Sequence, residues 1–167
     1  MRVNYKIYIL FLFILISQAY GANYYARANG NWNSSSTWTT TNFYGTNVGC
    51  GNPPSTGGAV PTANDNVFIG GEFVVTVAAN AACNNLTIGG YSYTYDGGLL
   101  CLSTFTTDVT GRVTFGTGGN FTLSVKGNLL IDGVSGGANY GTLDYNSTTG
   151  SRIHTVEVGG NFTNSGD

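Results

Sequence analysis

Charged side chains are scarce in this sequence: Asp, Glu, Lys and Arg make up 8% of its 167 residues, where about 25% is typical of globular proteins. Nucleic acids and anionic membranes bind proteins that carry clustered cations. Six Lys and Arg stand against eight Asp and Glu, so we expect neither nucleic acid nor a membrane surface as a partner. Hydroxyl and amide side chains must then keep the protein soluble.

Metal ligands are also few. His154 is the single histidine, and the three cysteines include no Cys-x-x-Cys pair, so these residues favour no metal site. In an exported chain, three cysteines are typical of one disulfide and one leftover thiol. Of the three possible pairs we predict Cys50 with Cys83, which would join the N-terminal region to the first strands and leave Cys101 unpaired.

Asp65 could supply a calcium ligand together with Asn64 and Asn66, because calcium prefers hard oxygen ligands. Asx side chains in turns, however, usually bond their own backbone, and the glycine-rich calcium-binding repeat is missing from the sequence. We therefore predict neither a metal nor another cofactor.

Long apolar runs are missing after the N-terminus. The run Ile7 to Ile16 follows Arg2 and Lys6 and precedes small residues, the pattern of a cleavable signal peptide. It is much shorter than the ~20 residues of a membrane-spanning helix, and an uncleaved anchor is the alternative. We predict a signal peptide over residues 1–21. The mature chain would be secreted or held at the outer cell surface, would span no membrane, and would carry a formal net charge of −4.

Helical periodicity is missing as well, since no segment after the signal keeps it for three turns. Short apolar alternations bounded by Gly and Asn occur instead, which is typical of strands with one buried face. Aromatic and β-branched residues are too frequent for a disordered chain. We therefore expect an all-β fold.

Asn followed by an apolar residue recurs at the predicted strand starts, in segments 85–89, 120–123, 128–133 and 161–164. Segments 125–129 and 158–162 match in residue type at a spacing of 33, within the range of repeat architectures. We predict a solenoid of stacked coils over residues 59–167. An antiparallel β-sandwich is the alternative, because Gly-Gly pairs also suit hairpin turns.

Residues 22–58 are dense in Asn, Ser, Thr and Gly, and they predict an irregular N-terminal cap. Trp32 and Trp38 are the candidates for covering the first coil, since an open strand edge recruits other chains. At the other end, a repeat-like unit over residues 156–166 has no capping segment after it. We therefore expect the coils to be truncated at the C-terminus.

Residues 29–38, 60–69 and 83–89 resemble the start of large secreted surface proteins of Bacteroidetes-type bacteria. Their order, a Gly-x-Trp start, a Pro-x-x-x-Asp turn and a Val-Ile strand, is also similar to the glycine-rich G8 domains of extracellular proteins. The resemblance covers roughly residues 28–167. It implies a right-handed parallel β-helix, export across two membranes and often a C-terminal sorting domain.

Tyr91, Tyr93 and Tyr95 alternate with polar residues, so in a strand their rings would share one face. Such a face could stack against sugar rings, because tyrosine presents a flat apolar body with a polar tip. The alternative is a hydrophobic ladder that covers a neighbouring loop.

Catalytic groupings are not visible in the sequence. His154 alternates with Val156 and Val158, which predicts a packed histidine on an apolar face rather than a general base. Carboxylate pairs for glycoside cleavage would have to be assembled in space; the candidate acids are Asp96, Asp108, Asp132 and Asp144. We predict no catalytic residue and no enzymatic activity.

These observations predict a secreted or cell-surface structural or adhesive repeat module that is not an enzyme. Its expected partners are extracellular polysaccharide or other surface proteins. The alternative is a carbohydrate-binding or carbohydrate-active module, of lyase or glycosidase type, on the same β-helix, because a fold does not determine a function.

Overall fold

The computed structural model describes residues 21–41, 58–70, 73–89, 111–132, 141–144 and 152–165. Within this part the chain forms short strands and one 3-10 turn, Ser35–Thr37. The strands are β1 Asn23–Ala26, β2 Gly30–Asn31, β3 Trp38–Thr39, β4 Asn66–Ile69, β5 Val74–Val77, β6 Ala81–Cys83, β7 Leu86–Gly89, β8 Arg112–Phe115, β9 Thr122–Val125, β10 Leu129–Asp132, β11 Thr142–Asp144, β12 Thr155–Val158 and β13 Phe162–Asn164.

The strands form three sheets. Sheet A has the order β13-β10-β7-β4-β1-β3, sheet B the order β11-β8-β5-β2, and sheet C the order β12-β9-β6. From β4 to β10, each strand pairs in parallel with the strand three places later, so the chain visits the three sheets in rotation. We call one such set of three consecutive strands a layer.

The predicted right-handed parallel β-helix with an irregular cap is wrong as a description of this chain. Sheet A is mixed, because β1 and β3 pair antiparallel. Sheets B and C are short, with four and three strands, and β2 has only two residues. The described part of the chain is therefore strand-rich, with one mixed sheet and two parallel sheets. Since every other pair among the described strands is parallel, the antiparallel sandwich does not describe it either.

The N-terminal region is more regular than predicted. β1 pairs with β4, and β2 pairs with β5, so segments expected to be an irregular cap are strands of sheets A and B. The chain then reverses through the 3-10 turn, and the backbone N–H of Arg27 donates to the carbonyl of Thr37 at 2.9 Å. This reversal brings β3 antiparallel to β1 and makes sheet A mixed.

The core lies between the sheets and is built from alternating positions of the strands. β4, β5 and β9 all show partly buried and fully buried residues in alternation, so the predicted division into a dry and a wet side is confirmed for these strands. Val67, Leu86 and Leu129 occupy paired positions of sheet A and are at most 1% exposed. Because burial of each such side chain contributes about 1.5–3 kcal/mol, neighbouring layers stabilise one another.

In the part of the chain that the structure describes, no helix has the length and apolar character needed to cross a membrane.

Candidate functional site

Asparagine side chains connect neighbouring strands at the start of sheet A. The Oδ1 atom of Asn85 accepts the backbone N–H of Asn128 at 2.8 Å, and Oδ1 of Asn128 accepts the backbone N–H of Asn161 at 2.9 Å. Asn66 extends the series, because its Oδ1 accepts Nδ2 of Asn85 at 2.8 Å and its Nδ2 donates to Oδ1 of Asn23 at 3.0 Å. We call these five residues the sheet A ladder.

Glycine precedes the ladder asparagine in two successive layers. A Cβ atom at Gly127 would overlap Oδ1 of Asn85, and one at Gly160 would lie 2.5 Å from Oδ1 of Asn128. A side chain at either position would therefore displace the amide of the layer before. Gly-Asn is therefore the local sequence at the two ladder positions whose backbone N–H bonds to the amide of the layer before: the glycine leaves room for that amide, as at Gly127 beside Asn85 and at Gly160 beside Asn128.

Sheets B and C use the same bond. Oδ1 of Asn29 accepts the N–H of Val74 at 2.7 Å, and Oδ1 of Asn80 accepts the N–H of Thr122 at 3.0 Å. In the next layer, Oδ1 of Asn120 accepts the N–H of Ile153 at 3.1 Å. Val74 and Thr122 are the first residues of β5 and β9, and Ile153 lies just before β12, so these side chains satisfy backbone donors where strands begin.

The sequence pattern located the strand starts but missed the role of their asparagines. The available signal was the recurrence of Gly-Asn before an apolar residue at a spacing of 33. Read together with parallel pairing, that spacing would have placed each amide beside the backbone of the next layer.

Trp32 and Trp38, predicted to cover the first coil, lie together in the core. Their exposed fractions are 1% and 0%, and their rings meet edge to face with centroids 5.1 Å apart. Nε1 of Trp38 donates to the carbonyl of Trp32 at 2.6 Å, whereas Nε1 of Trp32 is buried and has no hydrogen-bond partner within the described residues. The pair lies beside β2 and β3, the end strands of sheets B and A. Its role as a cap stays a prediction.

Asp65, the calcium candidate, ties two backbone segments together. Its carboxylate is 8% exposed and accepts the N–H of Ala22 at 2.8 Å and both the N–H and the hydroxyl of Thr62, at 2.7 and 2.6 Å. Burial by itself would raise the pKa of Asp65, but these hydrogen bonds stabilise the charged form and hold the pKa below its ordinary value of 3.8. The prediction that this side chain bonds its own turn is confirmed.

His154 is packed, as its alternation predicted. Its ring stacks on Phe115 with centroids 4.7 Å apart and on Phe121 with centroids 5.8 Å apart. Nδ1 accepts the backbone N–H of Phe121 at 3.3 Å. The acceptor nitrogen of the ring is therefore used within the protein.

The carboxylates proposed for glycoside cleavage have structural partners where they can be described. Asp132 accepts the hydroxyl of Ser165 at 2.9 Å, and Asp144 forms an exposed ion pair with Arg112. Asp96 and Asp108 lie outside the described residues. Within the described ranges, no group of three His, Cys, Asp or Glu side chains could hold a metal ion.

Cys83 is a free cysteine, fully buried at 0% exposure. Burial raises the pKa of its thiol to about 12. This free thiol does not support the predicted disulfide with Cys50, which itself lies outside the described residues. The sugar-stacking candidates Tyr91, Tyr93 and Tyr95 also lie outside the described residues, so their role stays a prediction.

Comparison with known proteins found no match to this chain among family models, curated proteins or solved structures.

Proposed function

We propose that this chain is an exported, non-catalytic structural module that makes adhesive contacts with other molecules outside the cell. The observation that supports the proposal is that its polar side chains form hydrogen bonds with the backbone. Asparagine amides, the Asp65 carboxylate and the His154 ring all bond to the backbone of the same chain. Such bonds stabilise layers and leave these groups committed to structure, which favours a scaffold over a reaction centre.

Export is supported by the N-terminal sequence, in which ten apolar residues follow Arg2 and Lys6. Few charges and many hydroxyl and amide side chains make a weakly charged surface. Contact with extracellular polysaccharide or with other surface proteins would then depend on hydrogen bonds and apolar area more than on long-range charge attraction.

Export is tested by producing the full chain in a bacterial host and sequencing the N-terminus of the protein recovered outside the cytoplasm. We expect a mature chain that begins at Ala22 after cleavage at Gly21, or at Tyr20 after cleavage at Ala19, since both are small residues behind the apolar run. Recovery of the intact N-terminus in the membrane fraction would contradict export as a soluble module.

Contact is tested by coating beads with the mature chain and counting the beads that polysaccharide-coated and protein-coated surfaces retain under flow. Beads that carry the same chain after heat unfolding are the matched control. We expect retention only with the folded chain and no shortening of the polysaccharides on incubation. Polysaccharide cleavage, or equal retention of both bead types, would overturn the proposal. If retention on polysaccharide disappears when Tyr91, Tyr93 and Tyr95 are all changed to Ala, the contact belongs to the sugar-stacking alternative.

A further inference from the structure

Asp65 is a buried carboxylate that has no cationic partner among the described residues. It is 8% exposed, and its donors are the N–H of Ala22 and the N–H and hydroxyl of Thr62, which are all uncharged groups. The ion pair that the described residues do form joins Arg112 to Asp144 in sheet B. Buried charges in proteins are ordinarily paired with an opposite charge. The Asp65 site therefore lacks a positive charge.

Ala22 lies opposite Asp65 at the start of sheet A. β1 and β4 pair in parallel with Asn23 opposite Asn66, which places the two preceding residues side by side. Oδ1 of Asp65 accepts the N–H of Ala22 at 2.8 Å, and the carbonyl of Ala22 accepts the N–H of Asn66 at 2.9 Å. Both polar backbone groups of Ala22 are thus fixed, and its nitrogen points at the carboxylate.

The same nitrogen belongs to the first residue after the predicted signal peptide. Ala19 and Gly21 are small residues at the spacing that signal cleavage requires. Hydrolysis adds water at the carbonyl carbon of Gly21 and breaks the bond to the nitrogen of Ala22, which leaves as an amine. The amine takes up a proton at neutral pH, because α-amino groups have a pKa of about 7.7–8.0. Cleavage would thus turn a neutral donor of Asp65 into a cation at the same place.

We propose that the peptide bond between Gly21 and Ala22 is the processing site, and that the new α-ammonium group of Ala22 forms a buried ion pair with Asp65. A charge-assisted hydrogen bond is roughly twice as strong as a neutral one. Processing therefore strengthens the contact between β1 and β4, and the chain is more stable after cleavage than before it. This inference rests on the export part of the proposed function and adds the position of cleavage and its consequence for folding.

Gly21 distinguishes this site from cleavage after Ala19. A Cβ atom at Gly21 would overlap the carbonyl oxygen of Asn64. Cleavage after Ala19 would keep residue 21 in the mature chain and leave the α-amine two residues away from Ala22. Gly21→Ala separates the two sites, since alanine is also a small residue that signal cleavage accepts.

Mass spectrometry and thermal unfolding of the two exported proteins, with Gly or Ala at position 21, locate the cleavage. We expect both mature chains to begin at Ala22 and to have the same mass and the same melting temperature. Cleavage after Ala19 would instead give a Gly21→Ala product that is one methylene heavier and less stable, because its new methyl group would collide with the Asn64 carbonyl.

Acetylation of the Ala22 α-amine tests the ion pair, because the acetyl group restores a neutral amide N–H at the same position. Lys126 is the single lysine after residue 21, and it is changed to Arg in all samples so that only the α-amine is acetylated. We expect acetylation to lower the melting temperature of the mature chain by about 2–6 °C. The matched control is Asp65→Asn, in which the same modification should change the melting temperature by less than about 1 °C.

The effect of acetylation should depend on pH. Pairing with Asp65 raises the pKa of the α-amine above its ordinary range. The extra stability of the free amine is then fully present below about pH 8, and it is lost as the pH rises through the raised pKa. Within the described residues, Tyr24 is the titratable group that interacts with the Asp65 charge. It is present in both forms of the chain, so its ionisation cancels in the comparison.

Three outcomes would overturn the inference. They are a mature chain that begins at Tyr20, an equal effect of acetylation on the unchanged and Asp65→Asn chains, and an α-amine whose pKa is not raised. Each of them leaves export intact if the protein is recovered outside the cytoplasm, whereas recovery of the uncleaved chain in the membrane fraction would overturn both proposals. Failure of the bead assay alone would remove the adhesive function and leave the ion pair unaffected.

Discussion

The side-chain oxygen of Asn128 accepts the backbone N–H of Asn161 at 2.9 Å, across 33 residues of sequence. Asn85 makes the same bond to Asn128 one layer earlier. One residue type at one position thus bonds consecutive layers of sheet A. It also specifies their register, because a slip of one residue would place an apolar side chain where the amide must be.

Asn128→Ala should lower the free energy of unfolding by about 1 kcal/mol, since the N–H of Asn161 loses its acceptor at a partly solvated site. Asn64→Ala is the matched control, because the Asn64 side chain is exposed and makes no hydrogen bond within the described residues. That variant should stay within about 0.5 kcal/mol of the unchanged chain. Urea unfolding measures both. Equal stability of the two variants would contradict a structural role for the ladder.

Gly127→Ala should destabilise the chain by about 1–3 kcal/mol, because the new methyl group would collide with Oδ1 of Asn85 and displace it. Gly118→Ala is the control. A Cβ atom there would meet only a ring carbon of Phe121 at 3.8 Å, an ordinary contact. We expect that variant to be neutral or slightly more stable. Thermal unfolding measures the stability of both variants. Equal stability of Gly127→Ala and Gly118→Ala would contradict the close approach of Gly127 to Oδ1 of Asn85.

The two tryptophans give a matched pair of substitutions. Trp38→Phe removes the donor to the Trp32 carbonyl and should cost about 1–3 kcal/mol more than Trp32→Phe, because a buried acceptor is left unsatisfied. Trp32→Phe removes an indole N–H that has no partner among the described residues, so its cost is limited to ring volume. Urea unfolding followed by the fluorescence of the remaining tryptophan measures the difference. A larger loss of stability for Trp32→Phe than for Trp38→Phe would contradict the hydrogen bond from Nε1 of Trp38 to the Trp32 carbonyl.

Asp65 makes stability depend on pH in the acid range. In the folded chain, the pKa of Asp65 lies below the ordinary value of 3.8. As the pH falls, the Asp65 carboxylate is therefore protonated in the unfolded chain before it is protonated in the folded chain. The stabilisation is fully present above the unfolded pKa and is lost as the pH falls through the folded pKa. Asp65→Asn should therefore be less stable than the unchanged chain at pH 7, and the gap should shrink below about pH 4.

The check on Asp65 is urea unfolding of both proteins between pH 7 and pH 2.5. Thr62→Val is a graded control, because it removes the hydroxyl donor and keeps the backbone N–H. The difference in unfolding free energy between Thr62→Val and the unchanged chain should be smaller than that for Asp65→Asn, and it should disappear over the same pH range. A gap for Asp65→Asn that does not change with pH would contradict the hydrogen-bonded carboxylate.

Cys83 makes stability depend on pH in the alkaline range. Burial raises the pKa of the thiol from 9.0 to about 12, so the unfolded chain loses this proton first as the pH rises. Stability should fall by about 1.4 kcal/mol per pH unit above about pH 9. Cys83→Ala should be less stable at pH 7, because it leaves a cavity, but it should lose less stability between pH 9 and 11.

Thiol labelling gives a second readout for Cys83. A thiol-modifying reagent at pH 8 should leave Cys83 unmodified in the folded chain. It should modify Cys83 in the unfolded chain, because only an exposed thiolate is a nucleophile. Peptide mapping without reduction should find Cys83 free. A Cys50–Cys83 linkage would contradict the buried thiol and restore the pairing predicted from the sequence.

Strand positions were predictable where apolar alternation is bounded by Asn and Gly. The segments that follow Asn85 and Asn128 are indeed β7 and β10, and the packed state of His154 also followed from alternation. The mixed sheet was not predictable, because β3 has two residues and its direction depends on the turn that precedes it. The ladder was hidden for a similar reason: an amide that bonds a residue 33 positions away is visible only when the register of the layers is known.

The central claim is that asparagine amides bond one layer to the next, and its most direct test is a scalar coupling measured through the hydrogen bond. In a ¹⁵N,¹³C-labelled sample, the backbone nitrogen of Asn161 should correlate with the side-chain carbonyl carbon of Asn128. A correlation of that nitrogen with a backbone carbonyl instead, or a rapidly exchanging Asn161 amide with no coupling, would contradict the account.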